Sequence, residues 1–146
     1  MKPSGLSIIF VLIQFISLAV IGLTGPLVAN PFLLFLVEVI GLFLGIWAVG
    51  SMRIGYFNIA PEPLNWSKMV SRGPYRIIRH PMYLALLLTT LPLVISYFSY
   101  LRVALWIVLL ANLLLKMRYE EGLLQKQFPE YASYRARTSK LLPGIY

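Results

Sequence analysis

The sequence contains no cysteine and a single histidine, His80, among its 146 residues. Without cysteine there is no disulfide, no thiolate nucleophile and no cysteine-ligated metal, and one histidine cannot build a multi-histidine metal site. Acidic residues are also scarce: 5 Asp and Glu stand against 13 Lys and Arg, and the formal net charge is +8. No metal site is therefore expected, and any chemistry rests on few titratable groups.

What the chain has in abundance is apolar sequence, since 59% of its residues are hydrophobic and its mean hydropathy is +0.78. A bilayer is spanned by about 20 apolar residues. Apolar runs of about this length cover residues 6–28, 32–52, 82–98 and 102–118. The sequence predicts an all-α, multi-pass integral membrane protein, one domain over residues 1–146, with about four transmembrane helices in two hairpins. The short link Asn30-Pro31 predicts that the first two helices form a tight antiparallel pair.

Two polar segments lie outside the predicted spans, a loop over residues 54–80 and a tail over residues 119–146. After the fourth apolar run, the helical pattern continues without a breaker to about Phe128, where Pro129 stops it. One long helix is therefore expected to leave the membrane. Together the loop and the tail are expected to form a cofactor site.

Lysine and arginine are unevenly divided between the two sides of the predicted membrane. All but one of the 13 fall on the side of the loop and tail, and only Arg102 lies opposite. The positive-inside rule then predicts that both termini are cytosolic. Because these basic residues flank apolar spans, anionic membrane lipids explain them better than nucleic acid does, and no nucleic-acid partner is expected.

A few polar residues interrupt the predicted helices. Glu38 and Arg102 lie at similar depth near the outer side, and we expect them to form an interhelical ion pair. Gln14 and Asn112 are expected to donate or accept hydrogen bonds between helices.

Gly41 and Gly45 are four residues apart in the second predicted helix. Small residues at this spacing permit close approach of two helices. The approach can occur within one chain or between two chains. The sequence thus leaves a monomer and a homodimer open.

The most informative part of the loop is residues 73–83, GPYRIIRHPMY, which place two arginines, the only histidine and two tyrosines before the third helix. A structural interpretation is available, since Pro81 fits the first turn of a helix and basic and aromatic residues are common at membrane interfaces. It does not explain Glu120 and Glu121, adjacent acids at a cytosolic helix end where cations are favoured. An ion pair between Lys116 and Glu120 is the structural alternative for these acids.

Adjacent residues on a helix point about 100° apart. One of the two glutamates can therefore face the basic loop while the other faces solvent or a bound molecule. A site with these acids on one wall and Arg79 and His80 on the other suits a zwitterion such as an amino-acid group.

The motif Arg79-His80-Pro81-x-Tyr83 together with Glu120-Glu121 resembles the isoprenylcysteine carboxyl methyltransferase family and its phospholipid methyltransferase relatives. The resemblance covers residues 73–143 and extends to further residues around these motifs, namely Gly73, Pro74, Tyr75, Tyr131, Tyr134, Arg137 and Pro143. Where the family often has a glycine two residues after the motif tyrosine, this chain has Ala85. The first two helices carry no matching motif.

The resemblance implies S-adenosylmethionine as cofactor, held between the two motifs. Arg79 and His80 would engage its carboxylate end, the tyrosines on either side of them would line its pocket, and Glu120 or Glu121 would hold its ammonium or ribose. His80 and Glu121 are the candidates for catalytic residues. The full cofactor-binding set that the resemblance implies is Tyr75, Arg79, His80, Pro81, Tyr83, Glu120, Glu121, Tyr134 and Arg137.

The sequence therefore predicts an S-adenosylmethionine-dependent methyltransferase acting on a membrane-embedded acceptor, a lipid or a lipidated small molecule or peptide. The activity it most resembles is isoprenylcysteine carboxyl O-methylation. A second interpretation is an NADPH-dependent membrane reductase of the sterol reductase type, which is expected to need more chain for its larger cofactor. A third is a non-enzymatic lipid-binding adaptor, which leaves the paired glutamates without a purpose.

Overall fold

The computed structural model describes residues 4–52, 61–62 and 69–144 of the chain. Its helices are α1 (Gly5–Leu23), α2 (Phe32–Ser51), α3 (Pro81–Ser96), α4 (Tyr100–Gln127) and α5 (Tyr131–Ala136), with a 3₁₀ turn at Gly73–Arg76. Within the described ranges, the only extended pairing is a single parallel bridge between Ile78 and Ser139. The predicted all-α class is confirmed.

Three of these helices, α1, α2 and α4, are long and apolar enough to cross a membrane. The third predicted span forms a shorter apolar helix, since α3 has 16 residues, or about 24 Å at 1.5 Å per residue. Many large apolar side chains lie on the outside of the bundle, among them Leu33 and Ile46, each 73% exposed. Such a surface is stable in lipid rather than in water, so the chain is a membrane protein.

The helices end at local helix-breaking residues rather than at the ends of the apolar runs. Helix α1 ends at Leu23, short of the predicted Val28, where Thr24 caps it by donating from its hydroxyl and its N–H to the carbonyl of Val20. Gly25 and Pro26 follow, and proline cannot continue a helix. Helix α4 instead runs through its polar end to Gln127, in accord with the uninterrupted pattern before Pro129.

The helices pack as two antiparallel pairs, α1 with α4 and α2 with α3. The predicted tight pairing of α1 with α2 is therefore wrong, because α2 turns its glycines toward α3 and leaves α1 to pack on α4. Buried apolar residues from α3 and α4 fill the centre of the bundle, and two residues outside those helices join them. This core consists of Ile78, Leu84, Leu87, Leu109, Leu113, Met117 and Leu141.

Gly41 allows α2 and α3 to approach closely within one chain. A Cβ at Gly41 would lie 2.7 Å from the backbone nitrogen of Thr89 and 2.9 Å from the carbonyl carbon of Leu88. One turn later, a Cβ at Gly45 would touch Ala85 at 3.4 Å. The close approach that the glycine spacing permits is thus an intramolecular one at these positions.

The predicted ion pair between Glu38 and Arg102 is wrong. Arg102 is 2% exposed and donates to the carbonyls of Ile21 and Tyr97, at 3.1 and 3.2 Å, which lie at the ends of α1 and α3. Helix ends leave such carbonyls unpaired and carry partial negative charge, so they attract the guanidinium. Glu38 instead accepts a hydrogen bond of 2.8 Å from the backbone N–H of Ala29.

The expected interhelical role of Asn112 and Gln14 is confirmed. Asn112 donates from its side-chain nitrogen to the carbonyl of Phe10 at 3.0 Å, and Gln14 accepts from Lys116 Nζ at 2.8 Å. Both bonds join α1 to α4. At the polar end of this pair, the hydroxyls of Ser4 and Tyr119 lie 3.1 Å apart, and Glu62 of the loop accepts from the N–H of Ser4 at 2.9 Å.

Parts of the predicted loop 54–80 lie outside the described residues, namely 54–60 and 63–68. The same holds for three of the basic residues used to predict orientation, Lys2, Arg53 and Lys68. The part of the loop that carries the motif, from residue 69 onward, is described in full.

Replacing Gly41 by alanine is expected to destabilise the protein, because the new methyl group would overlap the backbone of α3. Overpacking of this kind lowers the free energy of unfolding by about 1–3 kcal/mol. Thermal unfolding in detergent should show the loss as a lower Tm. The matched control is Gly50→Ala in the same helix, where a Cβ meets nothing within 4 Å. Equal Tm values for the two variants would contradict the assigned contact.

Candidate active site

The arginine–histidine motif is held at the start of α3 by an ordered turn. Gly73 has a φ of +59°, which favours glycine, and any Cβ there would collide with Ser51 Oγ. Arg72 Nε also donates to the carbonyl of Ser51 at 2.7 Å, which ties the turn to the end of α2. The chain then reaches His80, the N-cap of α3, followed by the buried Pro81 in the first turn.

The polar tail pairs directly with this motif. The N–H of Arg79 donates to the carbonyl of Ser139 at 2.9 Å, and the N–H of His80 donates to that of Lys140 at 3.2 Å. In return, the N–H of Ser139 donates to the carbonyl of Ile77 at 3.0 Å. These backbone hydrogen bonds fix the position of the tail against the start of α3.

Glu121 is the centre of a buried charge cluster. Arg79 Nε donates to Glu121 Oε1 at 2.7 Å, Lys140 Nζ lies 3.5 Å from Glu121 Oε2, and His80 Nε2 lies 3.3 Å from Glu121 Oε1. Arg79 also donates through Nη1 to the carbonyl of Thr138 and to that of Arg135 at 3.2 Å. One carboxylate thus joins α4, the start of α3 and the tail.

Glu120 has different partners on the adjacent face of α4. The hydroxyl of Tyr83 donates to Glu120 Oε2 at 2.8 Å, and His80 Nδ1 lies 3.9 Å from the same oxygen. The rings of His80 and Tyr83 stack with centroids 5.4 Å apart and an interplanar angle of 4°. The two glutamates therefore diverge, as their adjacent positions on a helix predict, and His80 lies between them.

Two cavities flank the motif residues. The first has a volume of about 740 Å³, is largely apolar, and is lined by residues of α1, α2, α3 and α4. Tyr75, Arg79, His80, Tyr83 and Glu120 line it alongside apolar residues of the helices. The second, of about 760 Å³, is polar and is lined by residues that include Arg79, Arg118, Glu121, Arg135 and Lys140.

Two phenols behind the motif are kept neutral by their surroundings. Burial raises the pKa of Tyr134 to about 12, although the nearby guanidinium groups of Arg79 and Arg137 act in the opposite direction. Burial also raises the pKa of Tyr75, and the carboxylate of Glu120 raises it further. Tyr134 can thus serve as a donor, and its hydroxyl donates to the carbonyl of Tyr75 at 2.7 Å.

The structure brings most of the sequence-derived site residues together, but not all in the same role. Pro81 is buried in the first turn of α3, and Tyr134 supports Tyr75 from behind without lining either cavity. Arg137 is exposed, and among the described residues it lines neither cavity.

Three further residues of this region were not among the predicted site residues. Lys140 pairs with Glu121, while Gln14 and Lys116 line the apolar cavity. Lys140 lies in the basic tail that the sequence places on the same side as the motif, which is a usable signal. Gln14 lies in a helix without any motif, so only packing brings it to the site.

The sequence profile of the family described as phospholipid methyltransferase matches residues 28–131. This range includes α2, α3, α4 and both motifs, and it leaves α1 outside. No curated protein and no solved structure matches the chain. Because the profile match covers more than half of the sequence, the chain belongs to the phospholipid methyltransferase family.

Proposed function

We propose that this protein is an S-adenosylmethionine-dependent methyltransferase with a membrane-embedded acceptor, and that its activity is most like isoprenylcysteine carboxyl O-methylation. Membership of a methyltransferase family supports the class of reaction. The observation that carries the proposal is the contact between the Arg79-His80 segment and the glutamate pair at one end of an apolar cavity of about 740 Å³. This arrangement puts polar binding groups next to a volume suited to a lipid.

The residues at the polar end of the cavity fit the chemistry of S-adenosylmethionine. The molecule has an amino-acid group with both charges, a ribose, a purine ring and a positive sulfonium. Arg79 and His80 offer donors for a carboxylate, Glu120 offers an acceptor for an ammonium or hydroxyl, and the stacked rings of His80 and Tyr83 offer an aromatic face. The chain would hold this cofactor with Tyr75, Arg79, His80, Tyr83 and Glu120.

When bound, S-adenosylmethionine supplies an activated methyl group for in-line displacement. The residues of the chain then have chiefly to align the reactants and exclude water, because such transfer gains most from proximity and orientation. The apolar walls of α2 and α3 serve the exclusion of water. The carboxylate of Glu120 favours a positive sulfonium over the neutral product.

We assign different roles to the two glutamates. Glu120 lines the apolar cavity and is the residue that we assign to the cofactor. Glu121 lines the polar cavity and pairs with Arg79, His80 and Lys140, so we assign it the positioning of the arginine and the histidine. No residue is needed as a base if the acceptor is a carboxylate, which is already ionised at neutral pH.

The description of the matching family favours a phospholipid as a second candidate acceptor, and an amine of its head group would then take the methyl group. An ammonium must lose a proton before it can accept a methyl group. His80, which lies between the two glutamates and lines the cavity, is placed to take that proton. The acceptor would approach sideways through the apolar cavity in either case.

The site is expected to face the cytosol, with both termini on that side. Ser4 contacts Tyr119 next to the glutamate pair, so the start of α1 and the polar tail lie at the same end of the bundle. The basic residues of the tail and motif also gather at this end, and the positive-inside rule assigns such an end to the cytosol.

Calorimetry on the detergent-purified protein is expected to show binding of S-adenosylmethionine and of its demethylated product, and no binding of NADPH. His80→Ala should weaken cofactor binding roughly tenfold or more, since a hydrogen bond to a charged group contributes about 1.5–3 kcal/mol. Arg137→Ala, which removes an exposed cation close to the site in sequence, should leave the affinity unchanged. NADPH binding without S-adenosylmethionine binding would instead favour the reductase interpretation.

Glutamine at the two acidic positions is expected to give two different phenotypes. Glu120→Gln should weaken S-adenosylmethionine binding roughly tenfold, because a charge-assisted bond is lost, and should leave the Tm unchanged. Glu121→Gln should lower the free energy of unfolding by about 3 kcal/mol, because it leaves Arg79 and Lys140 buried without their carboxylate. Calorimetry and thermal unfolding of both variants test these separate roles. The assignment of Glu120 to the cofactor is contradicted if Glu120→Gln binds S-adenosylmethionine as tightly as the wild-type protein does.

A further inference from the structure

A polar pair lies in the wall of the apolar cavity, away from the family motifs. Lys116 of α4 and Gln14 of α1 both line this cavity, and Lys116 Nζ donates to Gln14 Oε1 at 2.8 Å. The same ammonium lies over the ring of Tyr83, 5.2 Å from its centroid. Lys116 is 1% exposed and Gln14 is 6% exposed.

A lysine placed in the wall of an apolar cavity requires an explanation. Desolvation of an ammonium is unfavourable, and intramembrane cations are usually found facing a pathway or a binding site. A core packing role alone is filled better by leucine or methionine, which occupy the neighbouring positions Leu113 and Met117 of α4. The position of this lysine therefore indicates a function in the cavity.

Lys116 and Glu120 lie one turn apart on the same face of α4, and both line the cavity. The cavity thus presents a cation and an anion side by side at its polar end. A methyl transfer brings a positive donor next to an acceptor, and Glu120 is assigned to the donor. The neighbouring cation is then suited to a negative group on the acceptor.

We propose that Lys116, oriented by Gln14, recognises an anionic oxygen group of the lipid acceptor, and that this pair determines acceptor specificity. The inference rests on the proposed function and names the chemistry of its acceptor. The anionic group can be a carboxylate, as on a prenylated cysteine, or the phosphodiester of a phospholipid. Gln14 belongs to α1, which lies outside the residues 28–131 that match the family profile.

The test measures binding of acceptor probes to the full chain in detergent. The demethylated product of S-adenosylmethionine is present, so that the residues assigned to the cofactor are occupied and no turnover occurs. The carboxylate arm compares N-acetyl-farnesylcysteine with its neutral carboxamide. The phosphodiester arm compares a lysophosphatidylmethanol, whose phosphodiester carries its only charge, with a monoacylglycerol of the same acyl chain. In at least one arm, the wild-type protein is expected to bind the anionic probe roughly tenfold more tightly than the neutral one.

Lys116→Met should abolish this preference, because it should lower the affinity for the anionic probe and leave the affinity for the neutral probe unchanged. Lys116→Arg, which keeps the charge, should retain most of the preference. Lys126→Met, which removes an exposed cation from the same helix, should behave like wild type. The arm in which the preference occurs identifies the anionic group.

The proposal is overturned if the wild-type protein shows no preference in either arm, or if the preference survives in Lys116→Met. The absence of a wild-type preference overturns the proposal even if a variant does not fold. Failure of the proposed function is distinct, because it appears as the absence of S-adenosylmethionine binding in calorimetry.

Discussion

The rest of this structure depends on the contacts of the Glu121 carboxylate with three basic side chains. Arg79, His80 and Lys140 come from the start of α3 and from the tail, and they meet one acid on α4. Buried charges are stable only when they are paired and hydrogen-bonded. The pairing therefore forces three segments that are distant in sequence into one fixed arrangement.

The lipid around the helices explains why this charge cluster lies at one end of the bundle. The surface of α1 and α2 is apolar almost throughout and belongs in lipid, where an unpaired polar group is highly unfavourable. The charged residues of the two motifs gather at one end of the bundle, and the apolar cavity extends from that end between the helices. A water-soluble cofactor can thus reach the site from the aqueous side, and a lipid acceptor can reach the same site from the membrane.

Local patterns in the sequence predicted much of this architecture. The long apolar runs identified the helices, the missing breaker before Pro129 predicted the extension of α4, and the adjacency of Glu120 and Glu121 predicted that their side chains diverge. Each of these depends on residues close together in the chain. Helical periodicity and proline chemistry are enough to derive them.

Features that depend on packing between distant segments could not be derived in this way. Glu38 and Arg102 have opposite charges at similar depth, yet each binds backbone groups instead: Glu38 binds the link before α2, and Arg102 binds the ends of α1 and α3. The choice of α4 as the partner of α1 depends on which faces fit together, and this choice brings Gln14 to the cavity. Position 137 has the arginine that the family resemblance leads one to expect in the site, but the path of the tail leaves its side chain exposed.

Hydrogen–deuterium exchange with and without S-adenosylmethionine tests the central claim most directly, because it reports on both motif segments in the wild-type protein. The account predicts that the cofactor slows exchange in residues 75–83 and in residues 117–127 together, since both segments enclose it. Exchange that is unchanged in both segments, or slowed in only one, would contradict a site shared between them.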